Sequence, residues 1–466
     1  MGNRPRVRGA AGQPRRLLYV AGAVGAATAL LGHLAGARPI TLAGAAAVVA
    51  CAGILAPELT LALLIVIAGI KDASFLAFLP VDATVLVAAG VLAAMAARAW
   101  SRGVRPFPPA AVFGLLLAML VMAAVLWSPD PVGGLDEALR FETLTLMAFF
   151  APFVLIRDAD DVSRLMVGLA AFSVVVVLLA VPTGDPNQPL SVVGTSSGGE
   201  IELASDCAVG LFAAVYLVMR HRGPARLLAI AAGLLLAKTM VAAGSRGIIA
   251  GLLLALAYLA VVTWRSWVRG RRFWLVLASV AALAVAIPQV AGVGLARYRS
   301  QLFTENTSAV LGQRTYIFDT ARDLAVNHPL GLGAGGFQHV TGLAYPHNIE
   351  LHLAVNFGLP TLSLFLLLVG AAWSARRRAL RYGWRAESIG VGMLMIILVA
   401  DSQVSNGLNN SPSRCMWLAF GLALVLPRLA AAAPRAQPAP AAETRYHEAS
   451  ATGVPRGALR GAGSPA

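Results

Sequence analysis

Charged side chains are scarce in this chain, at 13% of its residues, about half the share usual in soluble globular domains. Together with 58% apolar residues and a mean hydropathy of +0.74, this argues against the two or three soluble domains that 466 residues would otherwise suggest. It points instead to a polytopic membrane protein. Cysteine is scarcer still. Cys51, Cys207 and Cys415 each lie inside an apolar segment at no ligand spacing, which argues against a disulfide framework or a cysteine metal centre and leaves them as small core residues. Acidic residues number 22 against 37 basic ones. The basic excess is nearly all arginine, in short groups between apolar segments. That is the pattern of membrane topology, and no nucleic-acid partner is expected.

What the chain does have is one apolar run after another. Segments long enough, or nearly so, to cross about 30 Å of hydrocarbon fall at 17–36, 39–56, 58–70, 81–97, 107–127, 140–156, 163–182, 202–219, 225–243, 247–264, 273–291, 353–373, 386–401 and 414–430. The third is short and follows the second across Pro57-Glu58, so the two can form one broken unit. The fold class expected is all-α, a transmembrane bundle of about 12–14 spans with one large extracytoplasmic loop containing amphipathic helices. Residues 1–16 read as a basic cytoplasmic arm, 17–430 as the transmembrane domain and 431–466 as a disordered cytoplasmic tail poor in large apolar residues.

Arginine-rich loops stay cytoplasmic, which sets the orientation. With both termini inside, Arg98/Arg102/Arg105, Arg220/Arg222/Arg226, Arg265/Arg269/Arg271/Arg272 and Arg376/Arg377/Arg378/Arg381/Arg385 all fall on the cytoplasmic side. SPDPVGGLDE (128–137), TGDPNQPLSVVGTSSGGE (183–200), the 292–352 loop and SQVSNGLNNSP (402–412) then fall outside. The expected localisation is a multi-pass protein of the cell's inner or plasma membrane with its working face extracytoplasmic.

The 292–352 interval is the long polar one. Within it GQRTYIFDTARDLAVN reads as an amphipathic helix with Ile317, Ala321 and Leu324 on one face and Arg314 on the same stripe. Pro329 stops it after Asn327. LGLGAGGF (330–337) follows, its glycines permitting positive φ and close backbone approach; it lacks the GK[ST] of a phosphate-binding loop and the strand context of a dinucleotide fold. Then Tyr345-Pro346-His347-Asn348 leads into an apolar helix for which Asn348 is a natural N-cap.

Several charges sit where a membrane protein disfavours them. Arg246, in AAGSRGII, lies between two spans at their outer ends, held as an outward-facing anion site or as an interfacial arginine. Lys238 and Asp206 each lie about 6–8 Å below an outer span end. Isolated charges there cost on the order of 3 kcal/mol, so the two are expected to pair, with Glu202 or Asp401 nearby. Arg314 and His347 join Arg246 at the same outer surface. His347 and His352 are five residues apart, the wrong spacing for two zinc ligands on one helical face, and no metal site is expected.

Three features together resemble the O-antigen ligase and polymerase superfamily over roughly residues 190–375: SRG (245–247); GQR (312–314) followed by NHPLGLGAGGF (327–337); and PHN (346–348) opening a helix with NFGLP (356–360). The resemblance implies a multispanning glycosyltransferase. Such an enzyme moves a glycan from an undecaprenyl-pyrophosphate carrier to an acceptor sugar hydroxyl of a carbohydrate or glycolipid, beside membrane lipid, with no metal, nucleotide sugar or other cofactor. By that resemblance His347, Arg246 and Arg314 are the catalytic candidates, the arginines on the pyrophosphate. Arg322, Lys238, Asn348 and Tyr345 are expected to bind substrate. GGEIELAS (198–205) stands where many relatives carry a Pro-Asn pair. A polysaccharide polymerase of the same superfamily and a transporter or flippase of lipid-linked glycan are the alternatives.

Overall fold

The computed structural model describes residues 13–71, 76, 79–182, 190–192, 199–243, 245–267, 306–343, 345–403 and 411–432. The basic arm before residue 13, the segment expected at 273–291 and nearly all of the 431–466 tail lie outside the described residues. The described chain is helical apart from a small antiparallel hairpin that pairs Ala180–Pro182 with Leu190–Val192.

In chain order the helices are α1 (Gln13–Leu34), α2 (Arg38–Leu55), α3 (Pro57–Val66), α4 (Ala83–Arg102), α5 (Ala111–Ala123), α6 (Pro131–Arg140), α7 (Leu146–Leu155), α8 (Ala159–Leu178), α9 (Gly199–Arg220), α10 (Pro224–Ala243), α11 (Arg246–Trp267), α12 (Asn306–Asn327), α13 (Gly336–Thr341), α14 (Ile349–Arg381), α15 (Arg385–Ser402) and α16 (Ser411–Ala432). Short 3-10 turns extend α3 and α5, and a π-helical turn, Phe141–Thr145, joins α6 to α7. Among the described residues nine helices are long and apolar enough to cross a membrane, and Pro57–Gly69, Ala111–Trp127 and Gly247–Val262 are shorter apolar helices. This is a polytopic helical bundle.

The break foreseen at Pro57 is real. Ala56 leaves helical geometry, and Pro57 opens α3 as a separate helix. Its residues from Leu61 to Val66 are almost entirely buried except Leu63, so α3 is largely a core element that faces outward only along the narrow stripe of Leu59 and Leu63. It packs on α8 and α4. Two buried carboxylates cross-link these three helices: Arg98 of α4 reaches Glu58 of α3 at 3.1 Å and Asp161 of α8 at 3.2 Å, and Arg164 also pairs with Asp161. Helix starts are fixed by side chains that accept otherwise unpaired N–H groups, Asp82 for α4, Asp130 for α6 and Asp158 for α8.

The centre of the bundle is aromatic. Trp417 of α16 meets Phe149 of α7 edge-on at 5.7 Å and Phe141 at 5.4 Å. Small residues let backbones approach elsewhere: a Cβ at Gly53 of α2 would sit 2.4 Å from the Gly90 carbonyl oxygen of α4, the close helix contact that membrane interiors favour. The three cysteines are free; Cys207 and Cys415 are buried in this core and Cys51 is half-buried.

Candidate active site

The amphipathic helix forms as its periodicity requires and ends at Asn327. Ile317, Ala321 and Ala325 are buried against Phe337, Ala354 and Val355, so α12 lies along the start of α14. That packed surface stops a turn short of Arg314. Although it shares the stripe, Arg314 is exposed.

The glycine turn after Pro329 is held by a break in α14, and the sequence explains both halves. Pro360 has no N–H to offer the carbonyl of Asn356, and Gly358 takes φ 88°, which interrupts the helix. The carbonyls thus released are satisfied from the turn: Leu332 donates to Val355 O at 2.8 Å and Gly333 to Asn356 O at 2.9 Å, while Leu359 donates back to Pro329 O at 2.9 Å. The Asn356 side chain accepts from Phe337 N–H at 2.8 Å. Backbone meets backbone so closely that a Cβ at Gly331 would lie 2.5 Å from Asn356 O, and one at Gly358 2.6 Å from the Leu330 carbonyl carbon. NHPLGLGAGGF and NFGLP are therefore two halves of one joint.

The other side of the turn is held from α5 and α6. Ser128 donates to Ala334 O at 2.6 Å, and the Glu137 carboxylate accepts from Gly335 N–H at 2.9 Å while contacting His352 Nε2 at 2.8 Å. SPDPVGGLDE thus carries a residue that the reading of sequence overlooked: Glu137 marked only an acidic loop. The available signal was a short amphipathic helix with two adjacent acids, of which Asp136 pairs with Arg140 on the same helix and Glu137 does not.

On this platform sits His347. It takes φ 56°, a left-handed conformation uncommon outside glycine but adopted more readily by asparagine, aspartate and histidine than by other residues, and its ring lies 4.6 Å from that of Tyr345. Asn348 caps α14 by accepting from Leu351 N–H at 2.9 Å, and its amide donates to Gln403 Oε1 at 3.0 Å. Burial, and then the positive charge of Arg314, push the His347 pKa below the usual histidine value of 6.5, favouring the neutral ring that can accept a proton. Burial raises the Tyr345 phenol, which stays protonated.

Residues 231–366 match the family model described as O-antigen ligase. The stretch is O-antigen ligase-like. The resemblance read from SRG, GQR, the glycine turn and PHN is borne out over that stretch. No curated protein matches the chain. The O-antigen ligase-like stretch runs from α10 into α14 and so contains the joint, but Ser128 and Glu137, which hold it from the other side, lie outside the match.

Of the seven expected site residues, the structure gathers Arg314, Tyr345, His347 and Asn348. Arg246 is the first residue of α11, at the α10–α11 turn as expected; its side chain lies outside the described residues. Arg322 is exposed on α12. Lys238 requires a correction. It is exposed on α10, whereas Asp206 is fully buried, and the Arg414 guanidinium, 5% exposed on α16, acts electrostatically on Asp206 and Glu202. A long lysine near a span end reaches outward along the apolar surface, and the buried acid is met by a cation from another helix.

Proposed function

We propose that this protein transfers a glycan from an undecaprenyl-pyrophosphate carrier to an acceptor sugar hydroxyl at the outer face of the cytoplasmic membrane. The observation that carries the reading is His347, half-buried, depressed in pKa and set beside Arg314 and Tyr345 within an O-antigen ligase-like stretch. In this mechanism the neutral His347 imidazole accepts the proton of the acceptor hydroxyl as its oxygen bonds to the anomeric carbon. The bond from that carbon to the phosphate oxygen breaks, and its electron pair leaves with the diphosphate. Arg314 and Arg246 meet the charge that develops there, which lowers the barrier because they bind the departing diphosphate more tightly than the esterified one. Arg322 lies on the same helix as Arg314 and extends the basic surface for the donor. Asn348 holds the histidine loop on α14.

The test is transfer by the purified protein alone. Given lipid-linked glycan and a sugar acceptor in detergent, it should release the carrier diphosphate and lengthen the acceptor. A protein that binds the donor but never converts it, while moving it across vesicles, would establish a transporter instead. Acceptors that themselves carry lipid-linked repeats, compared with glycolipid cores, separate polymerase from ligase.

A further inference from the structure

At the end of α14 remote from His347 lies a cavity of about 490 Å³ between α11 and α14, lined by Tyr258, Val262, Trp373, Arg376, Arg377 and Arg381 among others. Eighteen residues of helix separate Arg376 from Gly358, about 27 Å of rise, so this cavity is not part of the His347 site. Tyr258 and Val262 fall within the O-antigen ligase-like stretch, but Trp373 and the three arginines lie beyond its end at residue 366.

Arg376 is only 2% exposed. Its guanidinium lies 4.0 Å from the Trp373 ring centre and 5.1 Å from that of Tyr258, and it donates to the Tyr258 hydroxyl and to Ser388 O at 3.3 Å. Among the described residues its Nε has no hydrogen-bond partner and no carboxylate pairs with it. The charges nearest to it are of its own sign, with Arg377 and Arg381 exposed at the cavity. A guanidinium buried in a helical membrane bundle without a counter-ion is costly. The stacked rings and neutral acceptors hold its plane in place but leave the charge uncompensated.

We infer that this cavity binds the phosphate of an anionic membrane lipid, in the leaflet opposite the His347 site. Three guanidiniums converge on one anion, which suits a phosphodiester. Val262, Trp373 and neighbouring apolar side chains provide a wall for the glycerol and acyl ends, which favours a lipid over free phosphate. The bound lipid bridges α11 to α14.

The test uses the full chain, delipidated in neutral detergent, with native mass spectrometry. Phosphatidylglycerol should bind as a single copy at least tenfold more tightly than phosphatidylcholine. Arg377→Gln/Arg381→Gln, a change of exposed side chains, should weaken that binding about tenfold. Arg376→Lys keeps the charge but loses the stacked plane, and should weaken it as well. Inorganic phosphate that displaces phosphatidylglycerol at millimolar concentration would assign the site to a free phosphate; failure to displace assigns it to the lipid. Equal binding of the two lipids, with both variants behaving as the parent, would overturn the inference.

Discussion

Glu137 contacts His352 Nε2 at 2.8 Å across 215 residues of chain, and through its other oxygen it holds the Gly335 N–H. One carboxylate thus fastens α6 to α14 and to the glycine turn. Glu137→Ala takes the acceptor from the Gly335 N–H and leaves His352 Nε2 with only the Asn356 amide at 3.4 Å, a loss of about 1–3 kcal/mol. We expect a lower melting temperature in detergent and faster hydrogen exchange confined to residues 331–337. Exchange there unchanged from the parent would mean that the backbone joint alone holds the turn.

His347 is assigned to the proton and the acceptor. His347→Asn, which tolerates the left-handed backbone, should keep the protein folded and keep donor binding within about twofold. Turnover should fall at least about 100-fold. Transfer assays and donor-binding measurements on the same preparation check both halves. Near-parental transfer would remove His347 from the chemistry.

The pH dependence follows from the sign of the histidine shift. The active form is the neutral ring, so activity is lost as pH falls through the His347 pKa, and the acid limb of kcat/KM should lie below 6.5. Arg314→Gln removes one of the two influences that depress it and leaves burial in place. The acid limb should then move upward toward 6.5, with a drop in rate at the plateau from the lost diphosphate contact. A limb that stays put or moves down would separate Arg314 from His347.

Gly358 has no room for a side chain. Gly358→Ala places a Cβ 2.6 Å from the Leu330 carbonyl carbon at φ 88°, a backbone region that costs about 1–3 kcal/mol for other residues. The yield of folded protein should drop sharply, whereas Gly370→Ala on the same helix, with nothing within 4 Å of the added carbon, should behave as the parent. Fluorescence-detected size exclusion compares the two.

Lys238→Met should fold normally, because the side chain is exposed. Arg414→Met should not. It strips Asp206 and Glu202 of a buried cation, a loss of about 3–5 kcal/mol. The reverse ranking in expression and thermal stability would restore the Lys238–Asp206 pairing.

The sequence by itself determined the helical bundle, the break at Pro57, the stop of α12 at Asn327 and the Asn348 cap. These are local: apolar run length, a missing N–H and a short acceptor side chain act within a turn or two of the residue that carries them. The family resemblance was legible for a related reason, since the glycine turn and NFGLP must keep particular residues where backbones touch. Which charge meets which was decided only by the tertiary structure. Lys238 looked suited to Asp206 because the two depths matched, but depth says nothing of azimuth around the bundle, and Arg414 arrives from a helix some two hundred residues later. Glu137 and His352 were invisible as a pair for the same reason. A hydrogen bond spanning 215 residues leaves no periodicity in the chain, and it exists only once α6 and α14 have closed on the glycine turn between them.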